Sequence, residues 1–371
     1  MAKGVYFGVN NVARKVKKLY FGVDGKARKI KKMYFGVDGK ARICYSAGVR
    51  KVKAMTITYP VAGRNNYYAG ACASIGEYLL IEDTEHSFNH IECINSSLNS
   101  VYAPPTTTTN GTMAKGAASN SNYAIFAGGL RRPSNLTAWS ACYTASLALS
   151  NVYTLISEGR SHIGSGTIAN NIVFAGGDNG YTLEYGSKVI DIINSSLGSQ
   201  VRTLPFGAKM LIGLNVGNVL LFAHGDAADS KRTAYLTQGL SVSEHIPSVG
   251  VPRPGNSSGA ANANYALYQY ANSIDVFTSN LAYNRLENFP AALHNMVGLS
   301  SDDYAIFAGG YLTGGIYQNT VYSYDKNLVL DVLESLSEAK AYMLADKLGD
   351  NGFFIGGYAS YVRNTVDIYE I

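Results

Sequence analysis

From about Tyr68 to the C-terminus, short apolar runs, small-residue stretches and polar turns follow one another in a recurring order. The clearest run is an apolar segment ending in two glycines. YAIFAGG occupies Tyr123–Gly129 and returns unchanged at Tyr304–Gly310. NIVFAGG occupies Asn171–Gly177 and FFIGG occupies Phe353–Gly357. Weaker copies are VLLFAHG from Val219, YALYQYA from Tyr265 and EYLLIED from Glu77. Short apolar runs bounded by turn residues predict buried strands. Aligned on the position of Phe126, the series is Ile81, Phe126, Phe174, Phe222, Tyr268, Phe307 and Phe354, with steps of 45, 48, 48, 46, 39 and 47 residues.

Each unit has the same internal order. A small-residue strand comes first: YAGACASI from Tyr68, GAAS from Gly116, HIGSGTIA from His162, MLIGLNV from Met210 and SSGAANA from Ser257. The glycine-ended strand follows, then a variable loop, then an alternating strand such as HIECIN, VIDIIN, SIDVFT, TVYSYD or TVDIYE. A polar turn such as Asn194-Ser195-Ser196 before Leu197 leads to a less regular last strand. Units of this length and content predict an all-β fold of seven propeller blades. Small residues suit innermost strands that converge on one axis, and paired glycines let backbones approach closely. The last unit stops at Ile371 after its third strand, while AMTITYP, Ala54–Pro60, is a strand with no partner in its own unit. The expectation is that this strand completes the seventh blade and closes the ring, hiding its open edge.

The first 53 residues repeat differently. YFGVNNVARKVKK starts at Tyr6, YFGVDGKARKIKK at Tyr20 and YFGVDGKARI at Tyr34. Asp24-Gly25 and Asp38-Gly39 are hairpin signals, so each fourteen-residue repeat reads as two short strands. Charge separates the two parts. Residues 1–53 hold 15 Lys+Arg against Asp24 and Asp38, or +13, and the rest holds 16 against 24 acids, or −8. The predicted domains are therefore a basic β-repeat stem, 1–53, and a propeller head, 54–371. A meander this thin needs a partner surface, which predicts docking and self-association. Nucleic acid is not the expected partner, because gripping phosphate does not need YFGV repeated in register.

Composition narrows the chemistry. Charged residues are only 15%, with 28 Tyr and 39 Gly. Cys44, Cys72, Cys93 and Cys142 form no CxxC pair and read as small buried thiols. The start MAKGVYFGV lacks the apolar core of a signal peptide, and no run of 18 apolar residues exists, so the expectation is cytoplasmic synthesis without membrane insertion. His86, His90, His162, His224, His245 and His294 are spread over several of the repeated units, and no Cys pair accompanies them to complete a zinc pattern. His162 and His294 are expected on inner strands. Neither G-x-S-x-G nor a P-loop occurs, and neither metal nor cofactor is expected. Asp178 and Glu184 share a loop, which keeps a carboxylate pair for glycoside cleavage open as an alternative.

The apolar-strand-Gly-Gly motif makes residues 54–371 resemble the kelch-repeat family. The family's Trp after the third strand is absent, and the glycine pair fails around Ile81 and Tyr268. Separately, the YFGVDGKARK repeats are similar to N-terminal repeats of tail and baseplate proteins of phages, prophages and tail-like bacteriocins of Gram-positive bacteria. Together the resemblances imply a non-enzymatic receptor-binding protein at a tail tip. Its stem would dock to a tail or baseplate protein, several copies would sit on one particle, and its head would adhere to a host glycan or wall polymer. A glycan-processing enzyme and a peptide-binding kelch scaffold are the alternatives. The variable loops between second and third strands share one face and carry the candidate ligand residues Arg131, Arg132, Trp139, Asp178, Tyr181, Tyr185, Tyr311, Tyr317, Tyr358 and Tyr361. Exposed aromatic faces stack on sugars and neighbouring polar groups orient them. The stretch PSVGVPRPGNSSG from Pro247 is expected to join that face as a rim.

Overall fold

The structure is a computed structural model. It describes residues 6–9, 12–15, 20–23, 26–29, 32–37, 40–46, 48–58, 70–82, 91–102, 112–131, 135–152, 155–180, 186–223, 225–227, 232–245, 257–286 and 289–371. These residues form strands, turns and bends with no helix. The chain divides into two compact units, 1–50 and 51–371.

In the first unit the repeat folds as three antiparallel hairpins: Tyr6–Val9 with Val12–Lys15, Tyr20–Val23 with Lys26–Lys29, and Lys32–Val37 with Lys40–Ser46. In the register Val23 faces Lys26 and Val37 faces Lys40, the spacing that a two-residue Asp-Gly turn demands.

The second unit is propeller-like. Four-stranded antiparallel sheets follow one another along the chain, each running from an inner small-residue strand outward. The first holds Ala71–Ile75, Tyr78–Glu82, Ile91–Asn95 and Ser100–Tyr102. Five more start at Gly116–Ser119, Gly164–Ile168, Ile212–Val216, Ser258–Ala261 and Val297–Ser300. The last holds Leu344–Leu348, Asn351–Ile355 and Thr365–Glu370, and its fourth strand is Arg50–Thr56. That strand begins four residues before the expected Ala54. The reason is visible in two anchors upstream of Ala54: Lys51 Nζ lies 2.7 Å from the Asp367 carboxylate, and Lys53 Nζ donates to the Leu98 carbonyl at 2.8 Å. Beyond it, the Ile57 amide donates to the Asn364 carbonyl at 2.9 Å and Asn364 Nδ2 returns a bond to the Ile57 carbonyl at 3.0 Å. Inner strands touch in succession, and Leu344–Leu348 also touches Ala71–Ile75.

The core lies between neighbouring sheets. One cluster joins Val173 and Ile192 of the third sheet to Phe222 and Leu236 of the fourth; another joins Phe353 and Ile368 of the last to Leu79 and Ile81 of the first. All seven aligned anchors are buried at 1% exposure or less. The double glycine has a local cause at Gly309-Gly310. Both have positive φ, 66° and 93°, which costs glycine nothing. A Cβ on Gly309 would stand 2.3 Å from the Lys340 carbonyl oxygen, while the Gly310 amide donates to that same oxygen at 2.9 Å. The pair thus ties one sheet to the segment leading into the next. Where the glycines are missing, side chains form the link. Gln269 Nε2 donates to the Leu293 carbonyl at 2.8 Å, and Glu82 pairs with Lys115.

The turn between third and fourth strands repeats in six sheets. An Asn, Thr or Asp opens it and a leucine closes it at φ near 60°: Leu98, Leu147, Leu197, Leu240, Leu281 and Leu328. A left-handed leucine costs about 1–2 kcal/mol. Each of the six is half-buried against a different inter-sheet core cluster, which offsets that cost. The opening side chain accepts the turn amides; Asn194 Oδ1 takes the Ser196 and Gly198 amides, both at 2.9 Å. Asn194→Ala is expected to lose about 1 kcal/mol, the usual worth of such side chain to backbone caps. A urea titration with a lower midpoint and an unchanged slope checks it.

Candidate functional site

The sixth sheet carries a small second sheet on its rim. Leu293–His294 pairs with Tyr311–Leu312, which pairs with Ile316–Tyr317. Its register sets His294 opposite Tyr311 and Tyr311 opposite Tyr317. Residues directly opposite across antiparallel strands bring their side chains together on one face. The rings follow that register, with centroids 5.8 Å apart for His294–Tyr311 and 6.1 Å for Tyr311–Tyr317. The second sheet has the equivalent rim, Thr112–Met113, Leu130–Arg131 and Asn135–Leu136, where the corresponding row is Met113, Leu130 and Leu136.

The aromatic row extends to both sides. Tyr358 follows the glycine pair of the last sheet, as Tyr311 follows that of the sixth, and pairs with Ala341. Its ring lies 6.1 Å from Tyr317. Tyr342, in the bend before the last inner strand, has φ 57° and lies 5.9 Å from Tyr311. Tyr270 reaches His294 at 5.6 Å. Six rings from the fifth, sixth and last sheets thus form one contiguous, partly exposed strip. Tyr311 is its hub. It contacts three rings, and its hydroxyl accepts from Asn295 Nδ2 at 3.1 Å. Tyr311 therefore links the other rings of the strip, and its outer members remain partly exposed.

Burial favours the neutral form of three of these rings. Burial lowers the His294 imidazole below its ordinary value, favouring its neutral form. Burial raises the Tyr317 phenol, and the neighbouring Tyr358 and Tyr311 phenols raise it further. Burial and the Tyr311 hydroxyl raise that of Tyr342.

The other expected residues distribute as follows. Tyr361 shares the Tyr358 loop and is 61% exposed. Trp139, 38% exposed, and Asp178 belong to the second and third sheets rather than to this strip. The Asp178 carboxylate accepts the Gly180 amide at 3.0 Å, and its backbone pairs with Ser161. Arg131 lies in a rim strand by its backbone alone; Arg132, Tyr181, Tyr185, Glu184 and the stretch 247–256 fall outside the described residues. The histidine expectation needs correction. His294 sits on the rim strand, and His162 sits in the bend before Gly164, at φ 54°; neither is on an inner strand. The aromatic His162 and Tyr342 precede their inner strands at matching places, in LISEGRSHI and ESLSEAKAYM, a likeness that could have located Tyr342 from the sequence.

The inner strands surround a channel of about 1250 Å³ lined by small and hydroxyl side chains, among them Ser74, Ser165 and Thr167. Asp346 faces it, with its carboxyl raised by burial and held by Ser74 Oγ at 2.9 Å. Burial pushes the Cys93 and Cys142 thiols up to about 12, which makes both unreactive. Among the described residues no group of His, Cys, Asp and Glu could hold a metal ion, and no helix is long and apolar enough to cross a membrane.

No family model and no curated protein matches the chain. Among solved structures, that of YjhT superposes with a TM-score of 0.55 over 84% of this chain and 95% of its own, at 12% identity. A likeness at that identity concerns the fold alone, and the fold it supports is the propeller-like arrangement of small antiparallel sheets.

Proposed function

We propose that the four-stranded sheets are the seven blades of a kelch-like β-propeller closed by the N-terminal strand, and that the chain is the receptor-binding protein of a phage tail or tail-like particle. The head adheres, without catalysis, to a host cell-surface saccharide or wall polymer. Residues 1–53 dock it to a tail or baseplate protein and associate with further copies. The protein works at the tail tip. Blade closure is supported by the bonds between Ile57 and Asn364 and by the core cluster shared between the last and first sheets. The single observation that carries the adhesion reading is the strip of six partly exposed aromatic rings on one rim.

Stacking contacts are individually weak, about 0.5–1.5 kcal/mol each, so adhesion gains strength from many copies on one particle. The test is retention of the full chain on purified Gram-positive cell walls. Tyr317→Ala combined with Tyr358→Ala is expected to lower retention about tenfold or more, the sum of two such contacts. Release of soluble sugar would point to a glycan-processing enzyme. Wild-type protein that does not bind walls at all would point to a peptide-binding scaffold.

A further inference from the structure

Beside the strip, the loop between the second and third strands of the last sheet turns back on itself. Tyr358 pairs with Val362, the Ala359 amide donates to the Tyr361 carbonyl at 3.2 Å, and the Arg363 amide donates to the Gly357 carbonyl at 2.8 Å. This fold points Tyr358 into the aromatic strip, 6.1 Å from Tyr317, and leaves Tyr361 at the tip with 61% exposure. An exposed tyrosine ordinarily samples several rotamers. Here the Arg363 guanidinium carbon lies 3.7 Å from the Tyr361 ring centroid, so a planar cation backs one face of the ring. The guanidinium is itself anchored, Arg363 Nη1 standing 3.2 Å from the Glu338 carboxylate, which also accepts from Thr365 Oγ1. The result is one ring with one face covered and one face open, held by a chain of contacts that ends in the body of the sheet.

Among the described residues, the cations tied to this loop and its strand are engaged. Arg363 is neutralised by Glu338, and Lys51 and Lys340 share the Asp367 carboxylate. A phosphate-bearing polymer would have to break one of these pairs, whereas an apolar sugar face meets the open ring without doing so.

We propose that Tyr361 is a preorganised stacking platform for an uncharged pyranose, and that Arg363 serves it as a positioning residue and not as an anion ligand. This rests on the saccharide reading above and names its ligand class. A fixed ring loses less conformational freedom on binding, so both residues contribute to affinity although only Tyr361 touches the sugar.

The test is binding of the full chain to an array of immobilised saccharides, neutral members beside phosphate- and uronate-bearing ones, with purified Gram-positive cell walls as a second surface. Binding to neutral members is expected, changing little between about 0.05 and 0.5 M NaCl because no ion pair to the ligand is screened. Tyr361→Ala is expected to weaken it about tenfold with an unchanged thermal midpoint, as an exposed ring demands. Arg363→Lys keeps the charge but loses the stacked plane, and is expected to weaken neutral binding about threefold. Binding confined to anionic members, steeply salt-dependent and preserved in Arg363→Lys, overturns the proposal. Neutral binding that survives Tyr361→Ala yet falls with Tyr358→Ala overturns it while leaving the adhesion reading intact. No binding to either surface overturns both.

Discussion

Asp367→Ala is expected to destabilise the second unit by about 3–5 kcal/mol, the cost of leaving buried charge without its partner. At about 2 °C per kcal/mol for a domain of this size, the thermal midpoint should fall by roughly 6–10 °C. Asp367 and Lys340 are both fully buried, with 3.1 Å between them. Lys51, on the N-terminal strand, approaches the same carboxylate at 2.7 Å, and the Ser337 amide donates to it at 2.8 Å. One carboxylate thus gathers the third strand, the segment entering the last sheet and the strand that arrives from the other end of the unit. The third sheet has the same device, Arg160 Nη2 at 2.5 Å from Asp191 with the Ser157 amide at 2.9 Å, but among the described residues there is no counterpart of Lys51. Asp191→Ala should therefore act in the same direction. Replacing both buried charges, as in Lys340→Met with Asp367→Leu, should cost less than Asp367→Ala alone, because the fully buried Lys340 is no longer left without its carboxylate, while Lys51 and the Ser337 amide still lose theirs.

The same carboxylate sets an acid limit. Burial pushes the Asp367 carboxyl up and the Lys340 ammonium down, but around Asp367 the two lysines and the Ser337 amide prevail and hold the carboxyl below its ordinary value. A carboxyl depressed in the folded state stabilises it above the unfolded pKa, about 3.9. That stability disappears as pH falls through the lower folded value. The wild type should lose stability on acidification below about pH 4, and Asp367→Ala should lose less over the same interval. Urea midpoints at stepped pH measure the difference. Parallel slopes for the two proteins would count against the assignment.

Gly298→Ala carries the second large effect. The Cβ would lie 1.9 Å from the Gly259 carbonyl oxygen and 2.4 Å from its carbon, both backbone atoms of the neighbouring inner strand. No rotamer relieves such a contact; one sheet must move relative to the next. The cost is expected at or above the ~3 kcal/mol upper end of ordinary overpacking. A chain that is insoluble, or that melts many degrees early, is the expected result. Gly239→Ala, whose Cβ would meet nothing nearer than Thr237 Oγ1 at 3.8 Å, is the control and should change stability by less than about 0.5 kcal/mol. Equal behaviour of the two variants would mean that the inner strands of the fifth and sixth sheets are not in contact.

Much of the fold was legible because it is written in local signals. Alternation placed the third strands, small residues placed the inner ones, and each aligned anchor from Ile81 to Phe354 became a buried second-strand residue. The Asp-Gly pairs of the first unit flank the registers that two-residue turns require. The site was legible only in part. Tyr311, Tyr317, Tyr358 and Tyr361 were singled out from their loops, yet nothing in the loops distinguished them from Trp139 or Asp178. Tyr311, singled out as a ligand residue, also contacts three other rings of the strip. His294, Tyr342 and Tyr270, which complete the strip, come from segments outside those loops.

The amino-acid order alone determined the succession and spacing of the strands in the repeated units, because strand periodicity and turn chemistry act over a few neighbouring residues; the start of the N-terminal strand at Arg50 and the two-residue rim strands were set by contacts between distant segments. Which rings meet was decided only when neighbouring sheets packed together: the two-residue rim strands put His294, Tyr311 and Tyr317 abreast, and the adjacent sheets brought Tyr342, Tyr358 and Tyr270 to them. Contacts between sheets join residues far apart in the chain, and no short-range pattern encodes them.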